Sequence, residues 1–109
     1  MKVRVTAENY QREVSDEGRP VLVEFFADWC SKCAMMEDVV ETISVKYGRE
    51  LKVCQIEIDE SADLAEEFQV ETVPTFVIFK GGEPVSVATG VSDKDVLLDM
   101  LWQETGLQI

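Results

Sequence analysis

Val21-Leu22-Val23-Glu24-Phe25-Phe26-Ala27-Asp28-Trp29-Cys30-Ser31-Lys32-Cys33 decides how this chain folds. Its first seven residues are nearly all apolar and β-prone, as in a central strand buried on both faces. Beyond the cysteines, Met36, Val39, Val40, Ile43 and Tyr47 recur at three- and four-residue spacing, which predicts a helix over 31–47 with Gly48 as its stop. Cys30 and Cys33 thus stand where a strand gives way to a helix. A CxxC pair at such a junction is arranged to open and close a disulfide.

The flanking sequence fills in a sheet. Residues 2–5 alternate and read as a short edge strand. Thr6 is placed to cap a helix over 7–16, with Tyr10 and Val14 on one face and Gly18-Arg19-Pro20 breaking it. Residues 51–58 read as a third strand. Ser61 is placed to cap a short helix through Phe68 that turns Leu64, Ala65 and Phe68 inward. Pro74 opens a strand over 75–79, and Gly81-Gly82 reads as a tight hairpin turn into 84–89. Ser92 is placed to cap a last helix carrying Val96, Leu97, Met100 and Leu101. The order βαβαβαββα is α/β, with parallel pairing early and antiparallel pairing late. It predicts a mixed five-stranded sheet flanked by four helices.

Composition narrows the class. A chain of 109 residues suffices for a single domain with its own core and is too short for two. With 46% apolar and 29% charged residues it is expected to be globular rather than disordered. No apolar run approaches the roughly 20 residues needed to span a bilayer, so no membrane association is expected. Met1-Lys2-Val3-Arg4-Val5 alternates without an apolar h-region, so a cytoplasmic protein without a signal peptide is expected.

The net charge of −12 argues against nucleic-acid partners. It reads as a solvated surface, with selection of positively charged protein partners as the sharper alternative. Three cysteines and no histidine exclude Cys–His catalysis and offer too few ligands for a closed structural zinc site. No metal is expected.

The stretch 21–33, Ile58-Asp59, Val73-Pro74-Thr75, Phe79-Lys80-Gly81-Gly82 and Thr89-Gly90 together resemble the thioredoxin family along nearly the whole chain. The resemblance implies the thioredoxin fold and a redox-active dithiol that reduces protein disulfides without a bound cofactor. It also implies a cis peptide before Pro74 and a thioredoxin reductase or equivalent electron donor. The chain is expected to act as a monomer on disulfide-containing protein substrates.

Physical chemistry distributes the expected roles. Cys30 sits where the helix begins, so unpaired backbone N–H groups and the positive end of the helix dipole favour its thiolate, the form that attacks disulfides. Cys33, about one turn in, suits a resolving thiol. Glu24 is a carboxylate in a buried strand, so its proton affinity rises and it can carry protons. The family usually has Asp here, accepting the resolving cysteine's proton, and a lysine where this chain has Gln55. The missing charge partner favours a neutral Glu24. Trp29 is expected to form a flat apolar lip for substrate. The resemblance sets Val73 and Pro74 beside the dithiol, where the Val73 backbone can pair with an extended substrate. Gly90 and Val91 complete that groove by permitting close backbone approach.

Two departures from the family stand out. Ser31-Lys32 replaces its usual Gly-Pro, which frees a backbone N–H and adds a positive charge, so a more oxidising disulfide is expected. Asp38 replaces a common proline, so the helix should run straighter. Cys54, alone in the third strand, reads as inert packing. A specialised oxidoreductase and a docking module without redox chemistry are the alternatives.

Overall fold

In the computed structural model, which describes residues 1–108, the chain forms β1 (Lys2–Arg4), a π-helical turn (Gln11–Ser15), β2 (Val21–Phe26), α1 (Ser31–Lys46), β3 (Lys52–Glu57), α2 (Ala62–Glu67), β4 (Thr75–Lys80), β5 (Glu83–Thr89) and α3 (Lys94–Thr105). The strand order is β1-β3-β2-β4-β5, with β1 and β2 parallel to β3, and β4 antiparallel to both β2 and β5. This is the expected mixed five-stranded sheet, with β2 at its centre.

Successive residues of β2 point to opposite faces. Leu22 packs with Met36, Val40 and Ile43 of α1 and with Leu97 and Leu101 of α3. Val21, Val23 and Phe25 pack on the other face with Val14 of the π turn and Leu64 of α2, and Tyr10 and Phe68 close over them. A run without polar alternation is needed because both faces are covered. Glu24, on the Leu22 side of this alternation, is the carboxylate that the arrangement buries, at 1% exposure.

Several local expectations are corrected. The first helix is a π-helical turn confined to Gln11–Ser15 and closed by Asp16 N–H to the Gln11 carbonyl. Thr6 caps the turn before it: its hydroxyl accepts from Glu8 N–H at 3.3 Å while Asn9 Oδ1 accepts from Thr6 N–H at 2.8 Å. Tyr10 and Val14 still pack into one cluster, so the wider winding keeps the anticipated apolar face inward.

The second long element ends one residue early. Tyr47 is the C-cap of α1, and Gly48 is outside the left-handed region that a glycine stop uses. Ser61 precedes α2 but makes no side-chain cap, and its buried hydroxyl has no partner. Asp93, one residue past Ser92, caps α3 by accepting from Asp95 N–H at 2.9 Å. That start leaves Val96 exposed, while Leu97, Met100 and Leu101 are buried as expected. The helix ends at Gly106 with φ 73°.

Gly81 and Gly82 have φ of 60° and 80° and form the β4–β5 turn, where a side chain on Gly82 would meet the Ser15 carbonyl at 2.9 Å. Helix α1 is continuous through Asp38 over its 16 residues. No helix among the described residues is long and apolar enough to cross a membrane.

Candidate active site

The β2–α1 junction carries both cysteines. Cys30 is extended, with φ −92° and ψ 111°, and is the N-cap of α1. Its sulfur does what a capping oxygen usually does, accepting from Cys33 N–H at 3.1 Å. The three-residue spacing puts the Cys33 amide where an N-cap acceptor needs it, so the CxxC pattern and the cap are one device. The Cys30 S–H points at the Val73 carbonyl, 3.6 Å away. Ala27, Cys30 and Cys33 form a small apolar cluster against which Phe26, Ile58 and Val73 pack.

Both thiols are free and buried. Burial, then the adjacent Cys30 sulfur, pushes the Cys33 thiol up to about 12. The same Glu24 carboxylate that lies behind the pair adds to that push. A crevice of about 330 Å³ joins them, lined by Glu24, Cys30, Cys33, Ala34 and Glu37 among others.

Glu24 lies in register with Gln55 of β3 on one side and Phe76 of β4 on the other. Gln55 Nε2 donates to Glu24 Oε1 at 2.8 Å. The position that lacks a charge partner therefore holds a neutral amide. Burial raises the Glu24 carboxyl to about 7; Gln55 pulls it back, Glu37 adds to the rise and Lys2 opposes it. The expected neutral Glu24 is thus met halfway, because at neutral pH both forms are populated.

Around the dithiol, Trp29 is 69% exposed and its indole N–H donates to Asp59 Oδ2 at 2.8 Å. Glu57, buried at the end of β3, receives Asp59 N–H on both carboxylate oxygens, which fixes the loop presenting Asp59. The Val73–Pro74 peptide is cis. Gly90, at φ 66°, donates its N–H to the Pro74 carbonyl at 2.7 Å, so the Gly90-Val91 segment abuts Pro74. Ser31 and Lys32 are exposed on the first turn of α1.

Of the residues expected at the site, Cys30, Cys33, Glu24, Trp29, Ser31 and Lys32 lie on β2 and its junction with α1, and Val73 and Pro74 stand beside them where β4 begins. Gly90 joins through its bond to Pro74, while Val91 is 6% exposed and packs into the core cluster of Leu22, Met36 and Leu97. Sequence reasoning missed Asp59 and Glu57 as the support of Trp29, and Glu37 as a wall of the crevice. Asp59 stood in a family-matching dipeptide, and Glu37 falls four residues after Cys33, on the same side of a helix. Those two signals could have found Asp59 and Glu37. Cys54 sits in mid-strand at 0% exposure, with burial raising its thiol to about 11. Among the described residues no group of three or more metal-binding side chains gathers.

The family model described as Thioredoxin matches residues 1–103. Thioredoxin 1 of a Nostoc species is 37% identical over 98 residues, covering 90% of this chain and 92% of that one. A thioredoxin of Rickettsia felis is 34% identical over 101 residues, covering 93% and 96%. A bifunctional thioredoxin reductase/thioredoxin of Mycobacterium leprae is 36% identical over 96 residues, which cover 88% of this chain and 21% of that longer protein. A profile match over almost the whole sequence, relatives of matching length and two cysteines meeting at a helix cap make the chain a member of the thioredoxin family and a thiol–disulfide oxidoreductase.

Proposed function

We propose that the chain is a protein-disulfide reductase in which Cys30 attacks and Cys33 resolves. The observation that carries this is the Cys33 N–H on Cys30 Sγ at 3.1 Å, together with burial that holds Cys33 protonated. A helix-start donor favours negative charge on the outer sulfur, while the inner one waits as a thiol.

The Cys30 thiolate attacks one sulfur of a substrate disulfide. That S–S bond breaks, its electron pair leaves on the other substrate sulfur, which takes a proton from solvent, and a mixed disulfide remains on Cys30. Cys33 then gives its proton to Glu24, and its sulfur attacks Cys30. The second substrate sulfur leaves with the bonding pair and is protonated, and the protein ends as the Cys30–Cys33 disulfide. Two thiols are oxidised for each substrate disulfide reduced, and no bound cofactor enters the balance. A deprotonated Glu24 is needed at the second step, and a value of about 7 supplies it at neutral pH while leaving it basic enough to accept a proton.

Trp29, Val73, Pro74, Gly90 and Val91 form the substrate groove in this reading, and Ser31 and Lys32 tune the potential. Electrons come from a separate thioredoxin reductase, a pairing supported by the fused relative's name. The protein acts as a monomeric single domain in the cytoplasm, contributing to electron transport and redox homeostasis. Reduction of insulin by dithiothreitol tests the reading: the wild type accelerates it and Cys30→Ser does not. Equal rates for the two proteins would leave only a docking module. Turnover with a thioredoxin reductase and its nicotinamide donor tests the partner.

A further inference from the structure

Glu24 borders the crevice beside the dithiol, and a second carboxylate stands in its wall. Glu37 lies one helical turn past Cys33 and lines the same space as Glu24, Cys30 and Cys33. Lys2 of β1 binds Glu37 and also reaches Glu41 Oε1 at 3.1 Å, so the edge strand is tied to α1 by an ammonium between two acids, one of which lines the crevice. The Lys2 side chain is mostly covered, whereas Glu37 is half exposed.

We propose that Glu37 and Lys2 are positioning residues of the exchange reaction, a charge pair beside the crevice that sets when Glu24 can accept the Cys33 proton. The inference rests on the reading of Glu24 as that acceptor.

The groups around Glu24 are few. From α1 come Cys33 and Glu37, from β3 the neutral Gln55, from β1 Lys2, and from the turn before α1 Cys30 and Asp28; opposite on β4 is Phe76. Lys2 is the cation among them. Two carboxylates sharing one crevice resist joint ionisation, so Glu37 pushes Glu24 toward its protonated form and Lys2 pushes it back. Lys2 is raised despite its burial, because Glu37 and Glu41 hold its charge. The pair therefore works as a balance: each member alone moves Glu24, in opposite senses.

Opposite senses make the test sharp. The Glu24 side-chain titration is followed by carbon NMR in the reduced protein, and the second step by release of a thiol from a mixed disulfide preformed on Cys30, both across neutral pH. Glu37→Gln should lower the midpoint of each profile by about half a pH unit, and Lys2→Met should raise it by about as much. Glu37→Asp, which keeps the charge, should restore most of the wild-type midpoint. Any other pattern, including shifts of the same sign, overturns the proposal, because a merely structural role would not reverse sign between the two variants. Glu24→Gln separates the layers. If release keeps its neutral-pH midpoint without the carboxylate, Glu24 is not the acceptor, whatever the NMR shifts say of the charge pair. If that midpoint disappears while Glu37→Gln and Lys2→Met leave the wild-type profile in place, only the role of Glu37 and Lys2 fails.

Discussion

The β2–α1 junction and the middle of β3 both bury free cysteine, and only the junction is built for chemistry. Cys30 is 9% exposed and Cys54 is 0% exposed, so burial barely distinguishes them. What differs is the company. Cys30 receives a helix-start N–H and opens on a crevice with a carboxyl behind it. Cys54 lies in register between Val3 of β1 and Val23 of β2, inside an apolar cluster, and burial pushes its thiol up to about 11. A donor and an outlet turn a buried sulfur into a nucleophile; without them it is a small hydrophobe.

The largest effect should come from removing the nucleophile. Cys30→Ser is expected to lower insulin reduction by about three orders of magnitude or more, the range seen when a nucleophile is deleted. In the reduced wild type, iodoacetamide should modify Cys30 well before Cys54, which mass spectrometry of peptides would read. Alkylation of Cys54 at a comparable rate would break the contrast between the two regions.

Next comes the carboxyl behind the dithiol. Its proton affinity in the fold is raised from 4.5 to about 7. Below pH 4.5 both folded and unfolded chains hold the proton and nothing is lost. Between 4.5 and 7 the unfolded chain releases it first, so stability falls as pH rises, and above 7 the full penalty is present. At roughly 1.4 kcal/mol per pH unit, Glu24→Gln should stabilise the protein by about 3 kcal/mol above neutrality and by little near pH ~4. Urea unfolding at the two pH values checks this. A gain that does not depend on pH would mean that the substitution acts through packing alone.

The third test returns to Cys54. Cys54→Ser puts a hydroxyl into an apolar cluster without a ready partner and should destabilise by about 1–3 kcal/mol. Insulin reduction per folded molecule should stay at the wild-type rate. A loss of specific activity in a fully folded variant would give the third cysteine a role that its surroundings do not suggest.

Sequence carried the central strand and the dithiol because both are local. The run at 21–27 has no polar alternation, and Cys30-x-x-Cys33 has the spacing of an N-cap and its donor. Gly81-Gly82 is equally readable, since two successive positive φ angles favour glycine. The misses are of two kinds. Ser92 and Asp93 are both good caps, and only the path of the chain out of Gly90 chooses between them. Thr6 does cap, but the segment beyond it winds as a π turn rather than a helix over 7–16. The other misses are contacts between distant residues: Lys2 on Glu37 comes from the docking of β1 beside α1, and Asp59 on Trp29 from the loop after β3. Periodicity reports which face a residue takes, not which partner it finds there.

The smallest expected effect sharpens the comparison most, because it asks which part of the helix start matters. Replacing Ser31-Lys32 by Gly-Pro removes two things at once: the Lys32 N–H, one of the unpaired donors of the first turn, and an exposed ammonium. Both favour negative charge on Cys30 and so stabilise the reduced form. The double variant Ser31→Gly/Lys32→Pro should be more reducing than the wild type by about 20–30 mV, roughly 1 kcal/mol for two electrons, in equilibration with glutathione. An equally or more oxidising variant would refute the expectation. Salt then separates the causes. Lys32 projects into solvent, so a contribution from its charge should shrink at high ionic strength, with a screening length of about 3 Å at 1 M. A contribution from the backbone N–H acts at contact distance and should persist. If the difference survives in high salt, and Lys32→Ala leaves the potential near the wild-type value, the backbone of the helix start, rather than the side chain upon it, distinguishes Cys30 from the sulfur in the middle of β3.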